Sequence, residues 1–207
     1  MFRHVIKVHF VGIGGIGMSG IAELLLNLGF KITGSDINDS TVIKNLRKKG
    51  AEVALGHAAK NVTDADVLVY SSAVRKDNPE VIAAQEKSIP VIRRAEMLGE
   101  LIALKETSIG VAGTHGKTST SSMVGTVLSQ AKLDPTLVVG GLVRNIDTNS
   151  LLGAGDIIVV EADEFDRSFL SLQPTIAIIT NIELEHTECY EDLDDLQTAF
   201  TQFAYAS

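Results

Sequence analysis

Short apolar runs alternate along this chain with stretches whose apolar residues recur at helical spacing, and glycine, proline or polar clusters separate them. The runs at His4 to Val11, Lys31 to Ser35, Glu52 to Leu55, Val67 to Tyr70 and Val91-Ile92 read as strands, with helical segments between them and an amphipathic helix from Arg94 to Leu104. This alternation predicts a parallel, doubly wound sheet, because parallel neighbours need a crossover connection, usually a helix. After polar Lys105 to Ser108 the pattern restarts. Strand Ile109 to Ala112 and helix Lys117 to about Ala131 are followed by strands at Thr136 to Val139, Asp156 to Val160 and Thr175 to Thr180, the last introduced by Pro174. The expected fold is α/β: a Rossmann-like parallel-sheet domain over 1–105, then an incomplete P-loop α/β domain over 106–207. A nucleotide-hydrolysing sheet needs more crossover units than the second stretch supplies, so the chain is expected to be a fragment.

Two strand-to-helix junctions carry glycine loops. In Val111-Ala-Gly-Thr-His-Gly-Lys-Thr-Ser119, Gly113 and Gly116 let the backbone wrap closely, and the first-turn N–H groups of the following helix have no intrahelical partner. Lys117 would set an ammonium against β and γ phosphate oxygens, and the Thr118 hydroxyl would reach a Mg²⁺ bridging them. Val111 stands where the strict pattern has glycine, so the loop is a shortened form. The plain alternative is an ordinary helix N-terminus with a solvated lysine. The second loop, Gly12-Ile-Gly14-Gly15-Ile-Gly17, follows the first strand, opens the helix from Met18 to Leu28 and satisfies G-x-G-x-x-G. With Asp36 ending the next strand, it reads alone as an NAD site of an oxidoreductase; a purely structural role in close helix packing is the competing reading.

The strand from Asp156 ends in Glu161, placed where phosphate-loop enzymes hold Mg²⁺. Asp163, Glu164 and Asp166 divide between that chemistry and an acidic loop in solvent. Farther on, Thr180-Asn181-Ile-Glu183-Leu-Glu185-His186 leaves another apolar strand; His186 reads as a second-metal or phosphate contact, or as a hydrogen-bonded surface residue. In an open α/β sheet all three strand ends converge on the ligand crevice.

Composition narrows the classes. The 207 residues are 45% hydrophobic in short runs, with no stretch near membrane-span length and no leader with a cleavage site, so a cytoplasmic protein without membrane insertion is expected. A net charge of -8 argues against a nucleic-acid partner. Cys189, the only cysteine, excludes an internal disulfide and a thiolate cluster and reads as incidental. Arg47-Lys48-Lys49 reads as the solvated end of a helix. Self-association into a homo-oligomer is left open.

Taken together, these motifs resemble the Mur ligase family of bacterial cell-wall synthesis. The resemblance spans essentially the whole chain and rests on Gly12-Ile-Gly-Gly-Ile-Gly-Met-Ser-Gly-Ile-Ala22, Ser71-Ser-Ala-Val74 with Asn78-Pro-Glu80, Gly113-Thr-His-Gly-Lys-Thr118, Glu161-Ala-Asp-Glu164 and Thr180-Asn-Ile-Glu183. It implies that the first loop holds the diphosphate of a UDP-sugar rather than NAD: Gly14, Gly15, Ile16, Gly17 and Met18 would cradle it, with Ser35, Asp36, His57, Ser71, Ser72 and Ala73 around the uridine and diphosphate. The ATP loop maps onto Gly113, Thr114, His115, Gly116, Lys117, Thr118 and Ser119, the Mg²⁺ ligands onto Thr118 and Glu161, and His186 lies near a second metal; Lys117, Glu161 and His186 are the implied catalytic set. The implied reaction joins L-alanine to the carboxylate of UDP-N-acetylmuramate, with ATP supplying an acyl phosphate. The form of the first loop favours the alanine-adding branch over the ligases that attach whole peptides. The carbamylated lysine of other branches has no counterpart, since the last lysine is Lys132. A third, C-terminal domain that binds the amino acid is implied to be missing, so the chain is expected to bind nucleotides without completing the ligation. A non-catalytic nucleotide-binding module stays as the alternative outside enzymology.

Overall fold

The structure, a computed structural model, describes residues 4–143 and 148–207. The chain separates into two compact units, Met1–Met97 and Leu98–Ser207. The first contains β1 (Lys7–Val11), α1 (Ile16–Asn27), β2 (Lys31–Asp36), α2 (Thr41–Lys48), β3 (Glu52–Leu55), a 3-10 turn at Ala59–Asn61, β4 (Val67–Tyr70), α3 (Pro79–Glu86), β5 (Val91–Arg93) and the start of α4 (Arg94–Ile102). Its five strands are all parallel in the order β3-β2-β1-β4-β5. The expected parallel sheet is therefore present. Because β1 pairs with β2 on one side and β4 on the other, the loop that follows it sits where the strand order reverses, the usual place for a ligand in such sheets.

The predicted first strand was longer at its N-terminus. Ile6 and Lys7 N–H groups instead donate to the Asp66 carboxylate at 2.7 and 2.8 Å, so a side chain replaces the sheet ladder there. Helix α1 starts at Ile16, two residues earlier than the apolar pattern suggested, with Gly15 as its cap. The basic end of α2 is exposed, as expected, and carries surface contacts: Arg47 donates to Val53 O and to Asp39, and Lys49 pairs with Glu23.

The second unit holds the rest of α4, then β6 (Thr107–Ala112), α5 (Lys117–Gln130), β7 (Thr136–Val143), β8 (Thr148–Leu151), β9 (Ile157–Glu161), a 3-10 helix at Phe165–Ser171, β10 (Ile176–Ile179) and α6 (Leu193–Tyr205). The strand order is β10-β6-β9-β7-β8, parallel except for β8, which runs antiparallel to β7 at the edge. Neither β8 nor α6 was anticipated. β8 has the sequence Thr-Asn-Ser-Leu, with one apolar residue, and is a strand through its pairing with β7. α6 carries a legible signal: Asp192 caps it by accepting from Asp195 N, and Leu196, Ala199, Phe200 and Phe203 form its buried stripe. Phe169 packs edge-on to Phe200 with ring centroids 5.1 Å apart and stacks on Phe203 at 5.3 Å, which fastens α6 to the 3-10 helix. Among the described residues no helix is long and apolar enough to cross a membrane.

Candidate functional site

In the second unit the loop between β6 and α5 is held from the neighbouring strand end. Thr114 N donates to Asn181 O at 3.1 Å, its hydroxyl exchanges bonds with the Glu183 backbone, and His115 N donates to Asn181 Oδ1 at 3.0 Å. His115 O accepts from the Thr180 hydroxyl at 2.6 Å and from the Asn181 side chain at 3.0 Å. These bonds freeze the loop with both glycines left-handed, Gly113 at φ 130° and Gly116 at φ 81°, conformations that side-chain-bearing residues rarely adopt. A Cβ on Gly113 would also collide with Thr180. Gly116 then caps α5, leaving Lys117, Thr118 and exposed Ser119 in its first turn.

The Lys117 ammonium donates to Gly113 O at 2.6 Å, to Thr114 O at 3.2 Å and to Glu164 Oε2 at 2.7 Å. Glu164 is 1% exposed. It is no solvated loop acid: the turn after β9 carries it inward, while Asp166 stays exposed. His186, left-handed at φ 54°, sets Nε2 3.8 Å from Glu164 Oε1, and its ring meets Phe165 edge-on at 5.3 Å. Glu161, at the end of β9, bonds to the Thr118 side chain, and burial pushes its carboxyl above the ordinary range. Its Oε1 and the Oε1 of Glu164 are buried without a hydrogen-bond partner. Among the described residues no three His, Cys, Asp or Glu side chains stand together as a metal cage, but an orphaned Glu161 oxygen beside the Thr118 hydroxyl suits a hard cation such as Mg²⁺, which takes one or two protein oxygens and fills the rest of its shell with phosphate and water.

The glycine loop of the first unit is shaped by Asp36. Gly14 N donates to Asp36 Oδ2 at 2.8 Å and Asn38 N to Oδ1 at 3.0 Å, while Gly12 and Ile13 N–H both reach Ser35 O. Gly15 caps α1, Ile16 is exposed, and Ser71 flanks the loop, its hydroxyl 3.7 Å from where a Cβ on Gly12 would stand; Ser72 and Ala73 are exposed beside it. Two predicted contact residues, Met18 and Ser35, are buried beside the loop. Met18 is packed into the core with its N–H on Gly15 O. Ser35 is fully buried: its hydroxyl donates to Glu80 Oε2 at 2.5 Å and lies 2.8 Å from His57 Nδ1, so it positions the partly exposed His57 instead of facing solvent.

Two residues near the loop, Glu80 and Arg94, were not singled out from the sequence. Glu80, fully buried on α3, also accepts from Ala58 N at 3.0 Å and Asn61 Nδ2 at 2.6 Å, and lies 3.1 Å from His9 Nε2. Burial alone would raise its pKa, but the bonds from His9, Ser35, Asn61 and Ala58 outweigh that and hold it below the ordinary 4.5. Arg94 lies against α1: a Cβ on Gly17 would stand 3.2 Å from its Nη1, which sets a guanidinium beside the diphosphate-type loop. The sequence carried a hint of both, in the Asn-Pro-Glu run and in the arginine pair at the junction of β5 and α4.

The chain resembles known proteins over nearly its whole length. The chain is 60% identical over 201 residues to the UDP-N-acetylmuramate--L-alanine ligase of Myxococcus xanthus, covering 97% of this chain and 42% of that protein. It is 56% identical to the enzyme of the same name from Sulfurihydrogenibium, covering 99% and 45%. Among solved structures, the UDP-N-acetylmuramate-alanine ligase of Thermotoga maritima superposes with a TM-score of 0.87 at 35% identity, over 95% of this chain and 46% of that one. A UDP-N-acetylmuramate:L-alanyl-gamma-D-glutamyl-meso-diaminopimelate ligase from Neisseria meningitides gives 0.89 at 29%, over 98% and 68%. The chain spans less than half the length of the curated relatives it matches. The Mur ligase catalytic-domain model matches residues 7–106 and the Mur ligase middle-domain model residues 111–206, and with both glycine loops falling inside those matches the chain belongs to the Mur ligase family.

Proposed function

We propose that the chain supplies the sugar-nucleotide and ATP sites of an enzyme that joins L-alanine to the carboxylate of UDP-N-acetylmuramate in peptidoglycan synthesis. The observation that carries it is the β6–α5 loop itself, where Lys117 donates to Glu164 at 2.7 Å and Glu161, bonded to the Thr118 side chain, keeps a buried oxygen without a hydrogen-bond partner. In this reading residues 98–207 are the ATP-binding unit and residues 1–97 the UDP-sugar unit. The setting is cytoplasmic, where ATP and the sugar nucleotide are available.

Thr118 and Glu161 would hold Mg²⁺, with His186 beside a second ion; the cation offsets charge on the phosphate oxygens when bound. The first-turn N–H groups at the α5 N-terminus orient the polyphosphate. Lys117 moves from the Gly113 and Thr114 carbonyls toward the γ-phosphoryl group, with Glu164 fixing the starting position of its ammonium. Transfer of that group to the lactyl carboxylate releases ADP; the amine of L-alanine then attacks the acyl carbon, loses a proton and expels phosphate. In the first unit, the Arg94 guanidinium and the N-terminal turn of α1 meet the UDP diphosphate.

Calorimetric titration of the chain with UDP-N-acetylmuramate and NADH tests the first unit. The sugar nucleotide should saturate it and NADH should not, and Arg94→Ala should weaken the former about tenfold, the loss of one charge-assisted contact of roughly 1.5 kcal/mol. The reverse preference would return the loop to dinucleotide chemistry. For the second unit, a Cβ on Gly140 would stand 2.5 Å from Glu161 Oε2. Gly140→Ala should therefore displace that carboxylate and weaken Mg²⁺-dependent ATP binding on the order of tenfold, while binding without Mg²⁺ holds; equal loss of both would remove Glu161 from the metal role.

A further inference from the structure

Behind Glu164 and His186 lies a group of side chains that the reading above does not use. The 3-10 helix at Phe165–Ser171 contains two consecutive left-handed residues, Asp166 at φ 55° and Arg167 at φ 54°, and His186 is left-handed as well. Non-glycine residues keep such backbone only where their surroundings over-determine it. Here the surroundings converge on one ring. Tyr190, 1% exposed, donates its hydroxyl to Glu164 O at 2.7 Å, and Arg167 N donates to the same carbonyl at 3.0 Å. Tyr190 N donates to His186 O at 3.1 Å, joined there by Cys189 N at 2.7 Å. A single residue thus grips the backbone of both Glu164 and His186. Its ring is braced in turn: the Arg167 guanidinium carbon lies 4.7 Å from the ring centroid, and the same group donates to Cys189 O at 3.3 Å and pairs with Asp195 in the first turn of α6.

We propose that Tyr190, braced by Arg167 and Asp195, is a positioning residue that sets the spacing of Glu164 and His186 and so presets the second unit for metal-bound nucleotide. The inference rests on the reading of the β6–α5 loop as an ATP site. Its physical basis is that a buried hydroxyl must find a partner, and the partner chosen is the carbonyl of the residue that holds Lys117. Phenylalanine at 190 would keep the apolar packing and drop only that bond. Arg167, with its side chain 40% exposed, can be changed with less risk to folding.

The test is calorimetric binding of a non-hydrolysable ATP analogue to the 207-residue chain, with Mg²⁺ and with a chelator, for the unmutated protein, Tyr190→Phe, Arg167→Met and Arg167→Lys. Tyr190→Phe and Arg167→Met should each weaken Mg²⁺-dependent binding about tenfold, the usual scale for a group behind a metal-facing residue, and leave chelator binding within about twofold. Arg167→Lys, which keeps a cation over the ring, should recover part of the loss. Unchanged Mg²⁺-dependent affinity in both variants, or equal loss with and without Mg²⁺, overturns the brace alone. Failure of the unmutated chain to bind the analogue overturns the nucleotide reading, and the brace with it.

Discussion

Lys117→Met is expected to abolish binding of Mg²⁺-ATP and to destabilise the second unit by about 3–5 kcal/mol, the scale for removing one member of a buried ion pair. The two effects have one origin. The Lys117 ammonium is the cation within 2.7 Å of Glu164 Oε2, and Glu164 is buried with its other oxygen already unpartnered. Methionine fills the space of the stem but leaves that carboxylate to bear its desolvation alone. Glu164→Gln in the same chain should restore most of the stability, because a neutral amide replaces the stranded charge, yet should restore none of the nucleotide affinity. Urea unfolding of the single and double variants, alongside calorimetry with ATP, separates the two. A Lys117→Met protein as stable as its parent would show that the pair contributes nothing to the fold.

The second large effect concerns acid stability of the first unit. Glu80 is depressed below 4.5 in the folded chain by its donors, so unfolding raises its pKa and the unfolded state binds the proton more readily. Its contribution to stability is therefore complete above about pH 4.5 and is lost as pH falls through 4.5 toward the folded value. Glu80→Gln should flatten the fall in stability across that interval, and urea midpoints measured from pH 7 down to pH 3 read it directly. Glu80→Ala is harsher. It strands the donors of Ser35, Asn61 and Ala58 together, and at roughly 1–3 kcal/mol for each buried group left unsatisfied the first unit should no longer hold a cooperative transition at neutral pH. A variant that unfolds like its parent at every pH would reduce Glu80 to a bystander.

The same residue marks a limit of reading by pattern. A glutamate two residues beyond an asparagine cap reads locally as a good first-turn acid of α3. Its burial against His9 of β1, Ser35 of β2 and Asn61 of the 3-10 turn depends on strands and turns between 19 and 71 positions away. Ser35 shows the converse case. Its place at a strand end suggested a ligand contact, whereas the sheet turns its hydroxyl toward α3.

Several features were legible in the residues alone because they are local. The 2-to-3.6 alternation of apolar positions announces parallel α/β units, and the positive-φ demands of Gly113 and Gly116 are written into the loop itself. Lys117, Thr118 and Glu161 follow from their places at a helix start and a strand end. What only the tertiary structure decided is which acid meets which base. Glu164 and Asp166 are two positions apart in one acidic run, yet one is buried against Lys117 and the other is in solvent, because the left-handed turn after β9 and the hydroxyl of Tyr190 fix the carbonyl of Glu164. β8 is a strand only through its pairing with β7, and Arg94 reaches the glycine loop only because β5 and α1 bring it there. Local propensity and loop chemistry travel with the sequence, whereas charge pairing and edge pairing depend on distances that exist only once the sheet has formed.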